Sequence, residues 1–122
     1  MTVHFIGVGP GAEDLLTIRG KELINKCPIC LYAGSLVSKK ILSFCPKNVI
    51  KKNTAYMNLD KIFYEFKKAE KKKLDVSRLH SGDLSIWSAV GEQIRLLKKL
   101  ETPFLTLGGR AEYVSAIGFK IF

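Results

Sequence analysis

Along this chain, short continuous apolar runs alternate with longer stretches of helical period. Val3 to Val8 is mainly apolar, the pattern of a strand covered on both faces. Thr17 is placed to cap a helix running to about Lys26, with Leu23 and Ile24 on its inner side and Pro28 marking its end. Ile29 to Tyr32 reads as a second strand and Ala33-Gly34-Ser35 as the turn that follows it. Leu36 to Phe44 is a short helix stopped by Pro46, and Val49-Ile50 a brief third strand. Leu59, Ile62, Phe63 and Phe66 hold the i, i+3, i+4, i+7 spacing of an amphipathic helix, the clearest period in the sequence.

Val76 to His80 gives a fourth strand, which leads into Ser81-Gly82-Asp83. Ile86, Ala89, Val90, Gln93, Ile94 and Leu97 mark a further helix, with Asp83 or Ser85 positioned to cap it. Thr102-Pro103 ends that helix ahead of a fifth strand, Phe104 to Leu107, and Gly108-Gly109 makes the last turn. Strands separated by helix-length segments imply right-handed β-α-β crossovers. The expected fold is therefore α/β, a mostly parallel five-stranded sheet flanked by helices, and 122 residues suffice for a single core.

In such sheets ligands bind outside the C-terminal ends of the strands. Three loops fall there: Gly7 to Asp14, Ala33 to Ser35 and Ser81 to Ser85. The first carries Gly7-Val8-Gly9-Pro10-Gly11, alternate glycines that let the backbone turn sharply and a proline that stiffens the turn. Gly7-x-Gly9-x-x-Ala12 formally fits a dinucleotide fingerprint, which also needs a carboxylate about 20 residues further on. That region reads CPICLYAGS and has none, and Pro10 removes an N–H that a phosphate would use. A P-loop is excluded, because no Gly-Lys-Ser/Thr follows.

Charge adds an anionic partner to this picture. Twenty Lys and Arg against 11 Asp and Glu give a formal net charge of +9, which suits nucleic acid, a membrane surface or a polycarboxylate. Lys67-Lys68 and Lys71-Lys72-Lys73 crowd the outer end of the predicted amphipathic helix, where positive charge complements the helix dipole. Lysine without interleaved arginine and aromatics argues against a nucleic-acid partner. No apolar run approaches the roughly 20 residues of a membrane span, and the N-terminus lacks a secretory pattern, so the expectation is a cytoplasmic protein with no membrane partner.

The cysteines are Cys27, Cys30 and Cys45, an odd count that argues for reduced thiols. Cys27-Pro28-Ile29-Cys30 has redox-type spacing but stands at the entrance of a strand rather than before a helix, so a structural role is expected. His4 and His80 show no metal-ligand spacing to the pair, and no metal site is expected.

The segments GVGPGAEDLLTIRG, LYAGSLV and RLHSGDLSIWSAVGEQIRLL, in this order and spacing, resemble the N-terminal half of the tetrapyrrole methylases, and nearly the whole chain is covered. Within that superfamily YAGSLV, the histidine-bearing LHSGD and GEQI look most like the methylases that act on precorrin-4 at C-11. The resemblance implies methyl transfer from S-adenosylmethionine to a ring carbon of a corrin precursor in cobalamin biosynthesis, with the cofactor in a cleft between two α/β domains. By motif, Pro10, Ser81, Gly82, Asp83 and Ile86 would contact the cofactor, and Gly9, Gly11, Tyr32 and Ser35 would face the tetrapyrrole. No catalytic residue is assigned. Corrin precursors carry many carboxylates, which suits the positive charge, and a homodimer is the expected assembly.

The chain departs from the family pattern in places. Gly82-Asp83-Leu84 stands where the pattern has Gly-Asp-Pro, and Leu107-Gly108-Gly109-Arg110-Ala111 where it has Pro-Gly-Val-Thr/Ser-Ser. The expected division is an N-terminal methylase domain over 1–108, then a truncated interdomain helix or tail over 109–122. In that tail Tyr113, Ile117 and Phe119 would be partly exposed or covered by another copy. The competing readings are a non-catalytic fragment that serves only in assembly, and a ribosomal RNA ribose methylase of the same superfamily.

Overall fold

The computed structural model describes residues 1–34 and 37–81, together with the backbone of the strand Arg110–Val114. Its strands are β1 (Thr2–Gly7), β2 (Ile29–Tyr32), β3 (Ile50–Asn53), β4 (Val76–His80) and β5 (Arg110–Val114). They form one five-stranded sheet in the order β3-β2-β4-β1-β5. Every neighbouring pair is parallel, as the sequence implies. The helices are α1 (Ile18–Lys26), α2 (Lys39–Leu42) and α3 (Leu59–Lys71), with a single 3-10 turn at Glu13–Leu15.

Residues of alternate parity on each strand feed two separate cores. Val3, Phe5, Ile29, Leu31 and Val76 pack with Ile62, Phe66 and Ala69 of α3. Ile6, Val8, Cys30 and Leu79 pack with Ile24 of α1 and Ile41 of α2, and with Leu16 and Val37 beside them. The period of two along a strand thus sends one set of side chains to α3 and the other to α1 and α2. Burial on both faces is why β1 and β2 read as continuous apolar runs.

The helix starts follow from single side chains. Thr17 Oγ1 accepts the Gly20 N–H at 3.0 Å, Ser38 Oγ the Ile41 N–H at 3.2 Å, and Asn58 Oδ1 the Lys61 N–H at 2.9 Å. The Ser38 cap starts α2 at Lys39, later than the Leu36 start suggested by hydrophobicity.

Two strands differ from the expectation. β3 is Ile50–Asn53 rather than Val49-Ile50, and among the described residues it pairs only with β2, so most of its side chains face solvent. An edge strand of this kind tolerates Lys51 and Lys52 and carries no apolar run. The fifth strand is Arg110–Val114, within the segment expected to be an interdomain helix or tail. There it satisfies the backbone edge of β1 that β4 leaves open. Phe104 to Leu107, the strand predicted from sequence, and the helix predicted from Ile86 to Leu97 lie outside the described residues. So do the side chains of Tyr113, Ile117 and Phe119.

All three cysteines are free; Cys27 and Cys30 are buried and Cys45 is half-buried. Burial pushes the Cys27 thiol up to about 12. A hydrogen bond between Cys45 and Cys30 raises the Cys30 thiol and lowers that of Cys45. Among the described residues no three His, Cys, Asp or Glu side chains gather as metal ligands would. No helix among them is long and apolar enough to cross a membrane.

Candidate functional site

β4 lies between β1 and β2, so the loops that leave these strands meet along the C-terminal rim of the sheet. Two hydrogen bonds carry the pairing past the strand ends. Val8 N–H donates to the His80 carbonyl at 2.9 Å, and Ala33 N–H to the Leu79 carbonyl at 3.0 Å. Successive carbonyls of β4 therefore hold the loop after β1 on one side and the loop after β2 on the other.

The loop after β1 turns through Gly9 at φ +77° and Gly11 at φ +128°, and leaves Pro10 exposed between them. Gly9 is buried, and a Cβ there would lie 3.4 Å from the Leu15 carbonyl oxygen. Below the loop, α1 approaches β1 closely at Gly20, where a Cβ would meet Thr17 Oγ1 at 3.0 Å and Ile6 Cγ2 at 3.2 Å. An exposed ion pair of 3.2 Å joins Glu13 to Lys40 of α2. The Glu13 carboxyl is held below its ordinary range by a backbone hydrogen bond and then by Lys40. The Gly9→Ala variant is expected to lose about 1–2 kcal/mol, the cost of forcing an L side chain into the left-handed region. Urea unfolding measures it, and a loss near zero would mean that the loop relaxes to another shape.

The turn after β2 is fastened by Asn53. Its Oδ1 accepts N–H groups from Gly34 at 3.2 Å and from Ala55 at 2.9 Å. The Tyr32 carbonyl accepts the Thr54 N–H at 2.9 Å and the Thr54 hydroxyl at 3.3 Å. The Tyr32 side chain is half-buried and packs against the α1 and α2 core.

β4 ends in polar residues that are buried all the same. Ser77 donates to the Ile29 carbonyl at 3.3 Å, and the Arg78 guanidinium to the Leu31 carbonyl at 3.4 Å. Burial lowers Arg78 to about 10. His80 is 8% exposed, and its Nε2 is buried without a hydrogen-bond partner among the described residues. Burial, and next the positive charge of Arg78, lower this imidazole to about 3, so it is neutral across the physiological range.

Of the residues singled out from sequence, Gly9, Pro10, Gly11, Tyr32 and Ser81 all stand at this one rim. Ser35, Gly82, Asp83 and Ile86 lie outside the described residues. Sequence reasoning passes over His80 and Asn53 as site residues. A histidine closing a strand immediately before Ser-Gly-Asp, and an asparagine one residue ahead of Thr54, are the available signals.

The lysine cluster does not reach the rim. α3 runs from the end of β3 back to the start of β4, so Lys67 to Lys73 gather at the opposite edge of the sheet. Several of these lysines are engaged locally: Lys67 lies 4.8 Å from the Phe63 ring centroid and Lys68 5.5 Å from that of Tyr64.

The family model for Tetrapyrrole (Corrin/Porphyrin) Methylases matches residues 2–109. Precorrin-4 C(11)-methyltransferase of Sinorhizobium sp is 55% identical over 116 residues, which are 95% of this chain and 46% of that protein. Cobalt-precorrin-4 C(11)-methyltransferase of Methanocaldococcus jannaschii is 44% identical over 97 residues, 80% of this chain and 38% of that one. The chain thus spans about half the length, or less, of these curated relatives. Among solved structures, a cobalt precorrin-4 methyltransferase of cobalamin biosynthesis superposes with a TM-score of 0.83 at 30% identity, covering 93% of this chain and 45% of its own. Uroporphyrin-III C-methyltransferase of Thermus thermophilus, solved with S-adenosylhomocysteine bound, superposes with a TM-score of 0.72 at 25% identity, covering 94% of this chain and 44% of its own.

Proposed function

The chain belongs to the tetrapyrrole methylases, and from that premise we propose that it forms the N-terminal part of an S-adenosylmethionine-dependent enzyme that methylates C-11 of precorrin-4 or its cobalt form. The observation that carries this reading is the 55% identity to a precorrin-4 C(11)-methyltransferase over 95% of the chain. The site fits the cofactor on physical grounds. The rim offers backbone at Gly11, where a Cβ would meet nothing within 4 Å, and a buried imidazole nitrogen that has no partner among the described residues.

S-adenosylmethionine, when bound, supplies an electrophilic methyl carbon on a sulfonium centre. The residues of this chain have to bind, orient and shield. Ser81, Gly82, Asp83 and Ile86, with Pro10 beside them, form the cofactor wall in this reading; Gly9, Gly11, Tyr32 and Ser35 face the tetrapyrrole. Transfer to carbon requires the ring carbon and the methyl group in line, so positioning carries most of the rate. The first domain spans 1–108 in this reading, and a second α/β domain supplies the opposite wall. The net charge of +9 raises the encounter rate with a polycarboxylate from a distance, because the lysine cluster lies at the far edge of the sheet.

Calorimetry with S-adenosylhomocysteine tests the reading, on the chain alone and mixed with a separately produced C-terminal half from the Sinorhizobium relative. Binding is expected in the mixture, weakened roughly tenfold or more by Asp83→Ala through loss of a charge-assisted hydrogen bond. Absence of binding in both arrangements overturns it.

A further inference from the structure

His80 stands at the proposed site without an assigned ligand atom. It closes the central strand, immediately ahead of Ser81. Its carbonyl already holds the glycine loop through Val8, so the residue stands where that loop leaves the sheet. Its ring is more than nine-tenths buried, yet Nε2 has no hydrogen-bond partner among the described residues. Folded proteins seldom leave such an atom unpaired, because the lost hydration is not returned. The register partner on β1 is Gly7, so no side chain from that position covers the imidazole.

We propose that His80 is a direct ligand contact, its Nε2 hydrogen-bonding the neutral adenosyl portion of the methyl donor, a ribose hydroxyl or an adenine nitrogen. The inference rests on the reading of the site as a methylase cleft. The charged group facing His80 on β4 is Arg78, two residues earlier on the same face of the strand. With burial it keeps the imidazole uncharged. An uncharged ring does not repel a sulfonium cation, whereas an imidazolium would. The same neutrality makes His80 a poor proton acceptor near pH 7, which sets it apart from a general base. It also disfavours a carboxylate of the tetrapyrrole as the partner, since a carboxylate gains most from a charged donor.

The chain has two histidines, so 15N-labelled histidine gives two imidazoles to assign, and His4→Gln identifies which signals belong to His80. The sample is the chain, alone and mixed with the C-terminal half, titrated with S-adenosylhomocysteine and separately with adenosine. Both ligands are expected to shift the His80 Nε2 resonance. His80→Phe should weaken S-adenosylhomocysteine binding about five- to tenfold, and His80→Gln, whose amide can still donate and accept, by less. Binding by calorimetry with the Nε2 resonance unmoved would overturn this contact and leave the methylase reading intact. Absence of binding in both arrangements would overturn the two together.

Discussion

Replacing Phe66 with alanine is expected to remove about 3–5 kcal/mol of stability. The ring is fully buried and packs edge-on against Phe5, with centroids 6.4 Å apart and planes at 78°. It joins α3 to β1, and Ile29, Leu31 and Val76 of the same core cluster bring in β2 and β4. Truncation therefore opens a cavity at the junction of three strands and a helix, where none of the walls can collapse freely. Domains of this size are stable by roughly 6–18 kcal/mol, so about a sixth or more of the total is at stake. Urea unfolding measures the loss. Tyr64→Ala on the exposed side of the same helix, 59% accessible, serves as the control and should change stability by no more than about 0.5 kcal/mol. A loss under about 1 kcal/mol for Phe66→Ala would mean that the α3 core is not packed as described.

The second large effect is on the acid side and comes from His80. Its imidazole lies at about 3 in the folded chain, against an ordinary value of 6.5. Between those values the unfolded state binds a proton that the folded state does not, so stability falls as the pH drops below 6.5 and continues to fall toward 3. The slope approaches about 1.4 kcal/mol per pH unit below the ordinary value, which amounts to about 1.5 kcal/mol between roughly pH 6.5 and 5. That window lies above the range in which ordinary or depressed carboxylates titrate, so they contribute little to it. Of the charged groups at hand, Arg78 stays protonated throughout the window. His80→Gln should abolish most of the loss between about pH 6.5 and 5 in chemical unfolding curves. An unchanged slope in that variant would show that His80 is not the group responsible.

Both effects come from side chains that the sequence makes unequally visible. Phe66 falls at i+7 of a clean amphipathic period, and that period by itself locates α3 and its buried face. β1 and β2 are visible for a related reason: strands covered on both faces are mainly apolar, whereas β4 buries Ser77, Arg78 and His80 beside Val76 and Leu79. β3 is legible only in part, because an edge strand with solvent-facing lysines has no such need. β5 escapes sequence reading because its place is set by the open edge of β1, far away in the chain, and pairing of that kind leaves no local mark.

The site divides in the same way. Gly7 to Gly11 announces itself through glycine spacing, since a backbone with positive φ restricts which residues can occupy it. His80 and Asn53 carry no periodic signal. Their importance comes from what the fold places around them: a buried nitrogen without a partner among the described residues in one case, and two amide groups gathered on one oxygen in the other.

The strand order has a consequence in time. β1 and β2 leave the ribosome ahead of β4, yet they are not neighbours; β4 inserts between them and supplies the carbonyls that hold the loops on either side. Until that late strand arrives, the glycine loop has no rim to belong to, and the apolar flanks of β1 and β2 wait for a partner not yet made. Non-local insertion of this kind is slow and leaves strand edges uncovered meanwhile. The rim thus forms in a single late event, when β4 enters the gap, rather than growing as the chain lengthens.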